Sequence, residues 1–274
     1  MSVSASPAPT FAPAAAAATV PPALEARRLT LDYTTDAGTV RAVDSVDLTV
    51  AEGERLVLLG PSGCGKSTIL KALAGFIPAT SGSILVRGKP VTGPGPDRLV
   101  VFQEFDQLLP WKTVRDNVAF PLRVARKVSR AEANARAEAA LARVGLTRAL
   151  DAFPHALSGG MKQRAAIARA LAADPDVLLM DEPFAALDAL TRRQLQEDLL
   201  ALAEELKFTL VFVTHAIDEA VLIGTSLHLL SPHPGRTLAT RDTAHFGLAD
   251  VGSPAFESLT REVHGLLFDK AAHV

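Results

Sequence analysis

The chain has little cysteine and almost no net charge, and it lacks long apolar runs. Cys64 is the only cysteine, which excludes a disulfide within the chain and is typical of proteins that fold in a reducing compartment. The formal net charge of −2 supplies no basic surface for DNA or RNA, so no nucleic-acid partner is expected. No uninterrupted apolar run reaches about 18 residues, which argues against a membrane-spanning segment.

Apart from its first residues, the chain has the composition of a globular protein. Hydrophobic residues make up 48% and charged residues 21% of its 274 residues, enough for one large α/β domain or two modest ones. Residues 1–22 differ, because they are rich in Ala, Pro, Ser and Thr, and the first positively charged side chain is Arg27. A secretion signal needs a basic start, so we expect residues 1–22 to form a disordered tail.

Short apolar runs alternate with helical segments along the rest of the chain. Within residues 24–50, apolar and polar side chains alternate in two runs, which predicts a small antiparallel sheet. Helical patterns cover most residues between Gln103 and about Ala173, and also the segment 188–206. Further strands are predicted at 55–59, 83–88, 99–102, 176–180, 209–213 and 227–230. Strands that alternate with helices predict an α/β fold with a mainly parallel sheet.

A glycine-rich loop follows the strand predicted at 55–59. Residues 60–67 read G-P-S-G-C-G-K-S, which matches the phosphate-binding pattern G-x-x-x-x-G-K-[ST]. The glycines let backbone N–H groups face phosphates, Lys66 adds positive charge, and Ser67 offers a hydroxyl to Mg²⁺. The pattern predicts a nucleoside triphosphate site at Gly60, Pro61, Ser62, Gly63, Cys64, Gly65, Lys66, Ser67 and Thr68. Because Cys64 lies inside the loop, we expect its thiol to border the β-phosphate. The alternative is a small apolar filler to which solvent and reagents have no access.

Polar side chains also follow three of the predicted buried strands. Asp181 and Glu182 come directly after one strand, where neighbouring side chains point to opposite faces. One carboxylate could therefore face Mg²⁺ while the other faces the attacking water. Gln103 and His215 follow two other strands, at the edge where parallel sheets bind ligands. The alternatives are a solvated acidic turn for the carboxylates and structural roles for the other two residues.

A second glycine loop, L-S-G-G-M at 157–161, precedes a predicted helix. Glycines leave backbone N–H groups accessible, and the helix dipole adds partial positive charge at this end. The alternative is a simple helix cap made by Ser158. The sequence shows no obvious arginine finger, so a second anion-binding helix end would supply the charge stabilisation that phosphoryl transfer needs.

With these motifs in this order, residues 24–230 resemble the ATP-binding subunits of ABC transporters. Residues 60–67 are similar to the Walker A loop, 157–161 to the ABC signature, and 186–188 to the D-loop. The resemblance implies catalytic roles for Lys66, Glu182 and His215, and a Mg²⁺ site at Ser67, Gln103 and Asp181. It implies further ATP contacts at Tyr33, Gln103, Ser158, Gly159, Gly160 and Asp188.

The resemblance also implies a domain organisation and an assembly. We expect a RecA-like P-loop NTPase core at 23–240 with an antiparallel β subdomain, a helical subdomain inserted at about 104–173, and a helical extension at 241–274. Two copies would sandwich two ATP molecules head to tail, with the P-loop of one copy facing the signature of the other. The dimer would dock on two transmembrane subunits at the cytoplasmic face of the inner membrane, as a peripheral ATPase, and an extracytoplasmic protein would deliver the solute.

Several segments, including 103–118 and 158–164, resemble the branch that imports nitrate, sulfonates and taurine. Importers of pyrimidine precursors or other organic anions are the nearest alternatives. A soluble ABC ATPase of DNA repair or translation would carry coiled-coil insertions or tandem cassettes, and a silent regulatory subunit would lack Glu182 or His215. Trp111, the only tryptophan, is expected to anchor a coupling helix of a membrane subunit, with a place in the helical core as the alternative.

Overall fold

The fold is built on two β-sheets, and a computed structural model describes it for residues 21–35 and 38–268. The tail predicted at 1–22 lies outside the described residues, apart from Pro21 and Pro22. The described strands are β1 (Leu24–Thr35), β2 (Gly38–Val50), β3 (Arg55–Leu59), β4 (Ser81–Val86), β5 (Lys89–Pro90), β6 (Arg98–Val101), β7 (Val177–Asp181), β8 (Leu210–Thr214), β9 (Ser226–Leu230) and β10 (Thr237–Asp242). The described α-helices are α1 (Lys66–Leu73), α2 (Val114–Val124), α3 (Arg130–Arg143), α4 (Gly159–Ala172), α5 (Ala189–Leu206), α6 (Ile217–Ile223) and α7 (Pro254–Phe268).

The smaller sheet is antiparallel, with the strand order β2-β1-β4-β5. β1 and β2 pair along most of their length, and Tyr33 lies opposite Val40. In the second half of β2, the buried residues Val46, Leu48 and Val50 alternate with exposed ones, because only one face of the sheet packs inward. The antiparallel subdomain expected from this alternation is confirmed.

The larger sheet has the strand order β10-β9-β3-β8-β7-β6. All neighbouring strands in it are parallel, except that β10 runs antiparallel to β9. Successive residues of β7 face opposite sides: Leu178 and Met180 join the hydrophobic cluster that includes α2–α4, whereas Val177 and Leu179 join the cluster that includes α1 and the smaller sheet. Because both faces are covered, the strands have continuous apolar sequences, and the predicted α/β fold is confirmed.

Between β6 and β7 the chain leaves the sheet and forms α2, α3 and α4, which pack against one another. Side-chain caps start these helices: Thr113 Oγ1 accepts from the Asp116 N–H at 3.1 Å, and Ser129 Oγ accepts from the Glu132 N–H at 3.2 Å. Leu122 is fully buried among them. Each described helix is too short or too polar to cross a membrane.

The last helix packs onto the larger cluster of the core. Phe256, Val263 and Leu267 of α7 are buried in the cluster that also contains the residues of α2–α4. Phe256 meets Phe246 edge-on, with 5.6 Å between the ring centroids. The apolar stripe that the sequence shows at helical spacing near its end is therefore part of the core.

Three elements were not expected from the sequence, and the shortest of them is the two-residue strand β5. The helix α6 is only seven residues long, so no helical period can be recognised in it. The strand β10 lies at the edge of the larger sheet and is mostly exposed, and its polar sequence T-L-A-T-R-D gives no clear strand signal. β10 continues past residue 240, where the sequence had suggested the end of the nucleotide-binding unit.

Candidate nucleotide site

The candidate site lies at the carboxyl ends of three adjacent parallel strands. β8 is the neighbour of both β3 and β7 in the larger sheet. The P-loop at 60–67 follows β3, Glu182 follows β7, and His215 follows β8. This edge is where open α/β sheets bind their ligands, because the strands present their following loops together.

The P-loop requires glycine at its closest approach to β2. Gly65 has φ +96°, and a Cβ there would lie 2.7 Å from Val43 Cγ2 and 2.9 Å from the Ala42 carbonyl oxygen. Gly65 also precedes α1, and no side chain caps that helix. The first-turn N–H groups of α1 therefore point toward the loop, where they can donate to a bound anion.

A turn that the sequence analysis did not connect with the site supports the P-loop from behind. The Gly235 N–H donates to the Ala42 carbonyl at 2.9 Å, and the Asp44 N–H donates to the Gly235 carbonyl at 2.9 Å. A Cβ on Gly235 would lie 2.1 Å from the Cys64 carbonyl oxygen. The sequence marks this glycine as part of a turn, but it carries no signal for the distant partner.

Lys66 is buried at the start of α1. Its Nζ donates to the Gly60 carbonyl at 2.8 Å and to the Pro61 carbonyl at 3.0 Å. The ammonium is thus held within the loop, close to the N–H groups that follow it. A short movement of this flexible side chain would bring its charge to a phosphate in the loop.

The expectation that the Cys64 thiol borders a phosphate is wrong. The side chain is fully buried and belongs to the hydrophobic cluster below the loop. Burial raises the pKa of the thiol, and the nearby charge of Lys66 only partly opposes this. Cys64 can reach a nucleotide only through its backbone. The motif fixes the path of the loop but leaves the direction of this side chain to packing.

Ser67 and Asp181 meet at the base of the site. Ser67 Oγ donates to Asp181 Oδ1 at 2.9 Å. Burial raises the pKa of Asp181, while the hydrogen bond from Ser67 lowers it and the neighbouring charge of Glu182 raises it further. Hydroxyl and carboxylate oxygens are the hard ligands that Mg²⁺ prefers, so this pair fits a magnesium ion. Gln103, exposed two residues after the end of β6, is the third predicted ligand.

Glu182 and His215 also meet. Glu182 Oε2 lies 3.0 Å from His215 Nδ1, and the side chain of His215 is 54% exposed. The backbone of Glu182 turns into the left-handed region, with φ +44°, while its N–H still donates to the Val213 carbonyl at 3.0 Å. A non-glycine residue is strained in this conformation. The turn separates the carboxyl of Glu182 from that of Asp181 and directs it toward the next strand end.

The second glycine loop is a helix start that stands apart from the P-loop. Ser158 Oγ accepts from the Met161 N–H at 3.3 Å, so the cap considered for Ser158 is present. Gly160 packs against α5, and a Cβ there would lie 2.7 Å from Thr191 Cγ2. Among the described residues, no hydrogen bond joins 158–160 to 60–68. Within one chain, the structure does not bring the two glycine loops together.

The remaining predicted contacts, Tyr33 and Asp188, lie on the surface. Tyr33 is 48% exposed on β1. Asp188 is exposed and caps α5, where its carboxylate accepts from the Thr191 N–H at 3.0 Å. This hydrogen bond lowers the pKa of Asp188. Both side chains are accessible to a partner molecule, as the roles expected of them require.

A polar cluster outside the recognised sequence motifs fixes the end of β6. The Phe102 carbonyl accepts from Gln107 Nε2 at 2.9 Å and from Gln163 Nε2 at 3.3 Å. Arg169 Nη1 in turn donates to the Gln107 carbonyl at 2.7 Å. These bonds hold the backbone from which Gln103 projects. A signal was present, because Gln163 is a polar residue on the buried face of α4.

Comparisons with known proteins agree with this geometry. A family model described as "ABC transporter" matches residues 43–185. The chain is 48% identical over 237 residues to a taurine import ATP-binding protein of Rhizobium johnstonii, covering 84% of this chain and 90% of the relative. It is 42% identical over 247 residues to a nitrate import ATP-binding protein of Synechococcus elongatus, covering 88% of this chain and 90% of the relative.

Solved structures show the same fold. A dimeric ATP-binding cassette in a post-hydrolysis state, bound to ADP and Pi, superposes with a TM-score of 0.71 at 31% identity, covering 81% of this chain and 100% of that one. The protein cbiO1 of Clostridium perfringens, part of an ABC transporter complex, gives a TM-score of 0.73 at 29% identity. The match covers 92% of this chain and 98% of that one. The fold and the site define a P-loop ATPase. The chain belongs to the ABC transporter family, as an ATP-binding subunit whose ATP hydrolysis is coupled to transport.

The burial of Cys64 predicts a protected thiol. Because the side chain has no exposed surface, alkylation by N-ethylmaleimide should be on the order of tenfold or more slower than in the unfolded chain. Mg-ATP should not change the rate in the folded protein. The rate of labelling, followed by mass spectrometry with and without guanidinium, tests this. Rapid labelling of the folded chain that ATP suppresses would restore the original expectation.

Proposed function

We propose that this chain is the ATP-hydrolysing subunit of an importer for a small anion such as a sulfonate, taurine or nitrate. The names of its relatives support this solute class, since one is a taurine import protein and another a nitrate import protein. The two names differ in the solute, so they support a class of solute and not a single compound. Contacts with the solute itself would be made by partner chains.

One observation carries the proposed ATPase mechanism: two pairs of interacting residues lie at the same edge of the larger sheet. Ser67 with Asp181 forms a pair suited to a metal ion, and Glu182 with His215 forms a pair suited to a water molecule. Both pairs adjoin a loop whose helix start offers N–H donors to phosphates. The combination provides a phosphate cradle, a cation site and a base, the parts that phosphoryl transfer to water requires.

In the proposed reaction, the N–H groups of 63–68 bind the β- and γ-phosphates, and Lys66 exchanges its loop carbonyls for phosphate oxygens. Tyr33 stacks on the adenine. Mg²⁺, held by Ser67, Asp181 and Gln103, would neutralise phosphate charge.

Glu182 then orients a water molecule for attack on the γ-phosphorus and takes up its proton, while the bond to ADP breaks. His215 keeps the Glu182 carboxyl in place through the 3.0 Å contact with its Nδ1. The carboxyl would be free to move without that contact, because the side chain of Glu182 is partly exposed. The two residues therefore act as a unit in this proposal.

A second copy of the chain would complete each site. Ser158 is exposed and Gly159 partly exposed at a helix start that no described hydrogen bond joins to the P-loop of the same chain. Asp188 is exposed and caps α5, against which the buried Gly160 packs. Related cassettes solved as dimers support a pair of copies, which would be arranged head to tail in this proposal. In such a pair, the signature of one copy would face the γ-phosphate bound by the other, and its helix dipole would stabilise the charge of the transition state.

The surface around Trp111 supports docking on a transmembrane subunit. Trp111 is 71% exposed, so the alternative of a core position is wrong. Its loop is nevertheless held firmly: Asn117 Oδ1 accepts from the Leu109 N–H at 2.7 Å, and Asn117 Nδ2 donates to the carbonyls of Leu109, Lys112 and Thr113. A large aromatic side chain on a fixed loop is typical of an interface anchor.

The assembly we propose places the ATPase dimer peripherally at the cytoplasmic face of the inner membrane, on two transmembrane subunits. A solute-binding protein on the opposite side would supply the anion.

Replacing Glu182 by Gln tests the proposed chemistry. The amide keeps the size of the side chain but cannot accept the proton of the water, so kcat for ATP hydrolysis should fall by about 10² or more. The affinity for ATP should stay close to wild type, because the phosphate cradle is intact. Glu204→Gln, on the exposed surface of α5, is the matched control and should hydrolyse ATP normally. Hydrolysis by Glu182→Gln at a rate near wild type would refute the role of Glu182.

Replacing Trp111 by Ala tests the proposed docking surface. Loss of an interface anchor should weaken assembly with the transmembrane subunits by about 2 kcal/mol or more. ATP affinity of the isolated subunit should not change. Co-purification with the membrane subunits is the measurement, and Leu238→Ala, on the edge strand β10, is the control. A complex of Trp111→Ala that assembles and transports normally would contradict the proposal.

A further inference from the structure

Three buried polar side chains form a hydrogen-bonded chain directly behind His215. Thr214 Oγ1 donates to Glu219 Oε2 at 2.5 Å, and Gln196 Nε2 donates to Glu219 Oε1 at 2.9 Å. Thr214 is 2% exposed, and Gln196 and Glu219 are each 8% exposed. The chain joins β8, α6 and α5 through side chains alone. None of the three residues belongs to the motifs that define the nucleotide site.

A carboxylate at this position is costly for the fold. Among the described residues, no Lys, Arg or His forms an ion pair with Glu219, so its burial is offset by the hydrogen bonds from Thr214 and Gln196 and by its place in the first turn of α6. Apolar side chains of similar size could fill such a site without that penalty. A buried polar group whose hydrogen bonds are satisfied holds the elements that it joins in one defined geometry.

The hydrogen bonds of Thr214 and Glu219 fix the backbone on both sides of His215. Thr214 Oγ1 donates to Glu219 and also accepts from the Ala216 N–H at 3.0 Å. The hydroxyl therefore bridges the residue before His215 and the residue after it. The ring of His215 is more than half exposed, and Glu182 is its described hydrogen-bond partner. The position of the ring thus depends on how firmly this short backbone segment is held.

The same carboxylate reaches the helix that starts at Asp188. Gln196 lies on α5 about two turns after Asp188, which caps that helix. Glu219 is thereby bonded to the element after Asp188 and to the strand before His215. A shift of α5 along its axis would pull on Glu219 and hence on Thr214.

We propose that Glu219 is a positioning residue for ATP hydrolysis. Through Thr214 it holds His215 against Glu182, and through Gln196 it couples this contact to the start of α5. The inference rests on the role proposed above for His215 and Glu182. It adds a second layer to that site, made of residues that touch neither ATP nor metal.

The first test removes the hydroxyl of Thr214 without changing the volume of the side chain. Thr214→Val should lower kcat for ATP hydrolysis about tenfold or more, because a displaced His215 no longer holds Glu182. The KM for ATP should change less than about twofold, since the phosphate cradle is untouched. Thr214→Ser, which keeps the hydroxyl, should recover most of the lost turnover. Glu219→Leu should behave like Thr214→Val.

A matched control exists directly before the start of the same strand, β8. Thr209 is also buried, and its Oγ1 accepts from the Gly53 N–H at 3.0 Å, far from the site. Thr209→Val removes a comparable buried hydrogen bond, so it should lower the melting temperature as Thr214→Val does but leave kcat unchanged. If Glu219→Leu does not fold, the volume-conserving Thr214→Val and Gln196→Met variants decide the question.

A double-mutant cycle separates positioning from a general loss of stability. Once His215→Ala has removed the ring, Thr214→Val should lower kcat by less than about twofold further, because the two changes act on one contact. A folded Thr214→Val with normal kcat would overturn this inference but leave the role of His215 standing. The same holds if the effects of Thr214→Val and His215→Ala on kcat simply multiply. Normal turnover of His215→Ala itself would overturn the role proposed for His215 and the inference with it.

Discussion

The site depends on the adjacency of three parallel strands, because that adjacency brings together side chains from three distant parts of the sequence. β3, β8 and β7 are neighbours, so the loops after them share one edge of the sheet. Ser67 can then reach Asp181, and Glu182 can reach His215, at hydrogen-bond distance. The sheet can hold its strands in parallel because apolar clusters cover both faces. Packing on the two faces thus determines the chemistry at the edge.

Much of this edge could be predicted from the sequence, because its motifs are local. A strand, a glycine loop and a helix in succession determine where N–H groups converge, and the order of strands and helices determines that the sheet is parallel. The buried apolar run before the two carboxylates also indicated where they lie, since Asp181 is the last residue of β7 and Glu182 follows it directly. The second glycine loop was also recognised, and its separation from the P-loop within one chain agrees with the need for a second copy.

Other features could not be predicted, because they depend on contacts between distant residues. The buried direction of Cys64 is set by packing below the loop, and the role of Gly235 by its contact with a strand almost two hundred residues earlier. The bonds of Glu219 join three elements whose relative placement only the folded chain defines. Polar residues at buried helix positions, such as Gln163, were a usable signal that pattern analysis of motifs overlooks.

The central claim is that each ATP site is completed by a second copy of the chain. Ser62 and Ser158 are both exposed, and the single native cysteine can be removed by Cys64→Ala. The direct measurement is disulfide formation between Ser62→Cys and Ser158→Cys in that background, with Glu182→Gln added to hold ATP. We predict a cross-linked dimer on a non-reducing gel when Mg-ATP is present and little without it. A chain that stays monomeric with ATP, or that closes the disulfide within itself, would contradict the account.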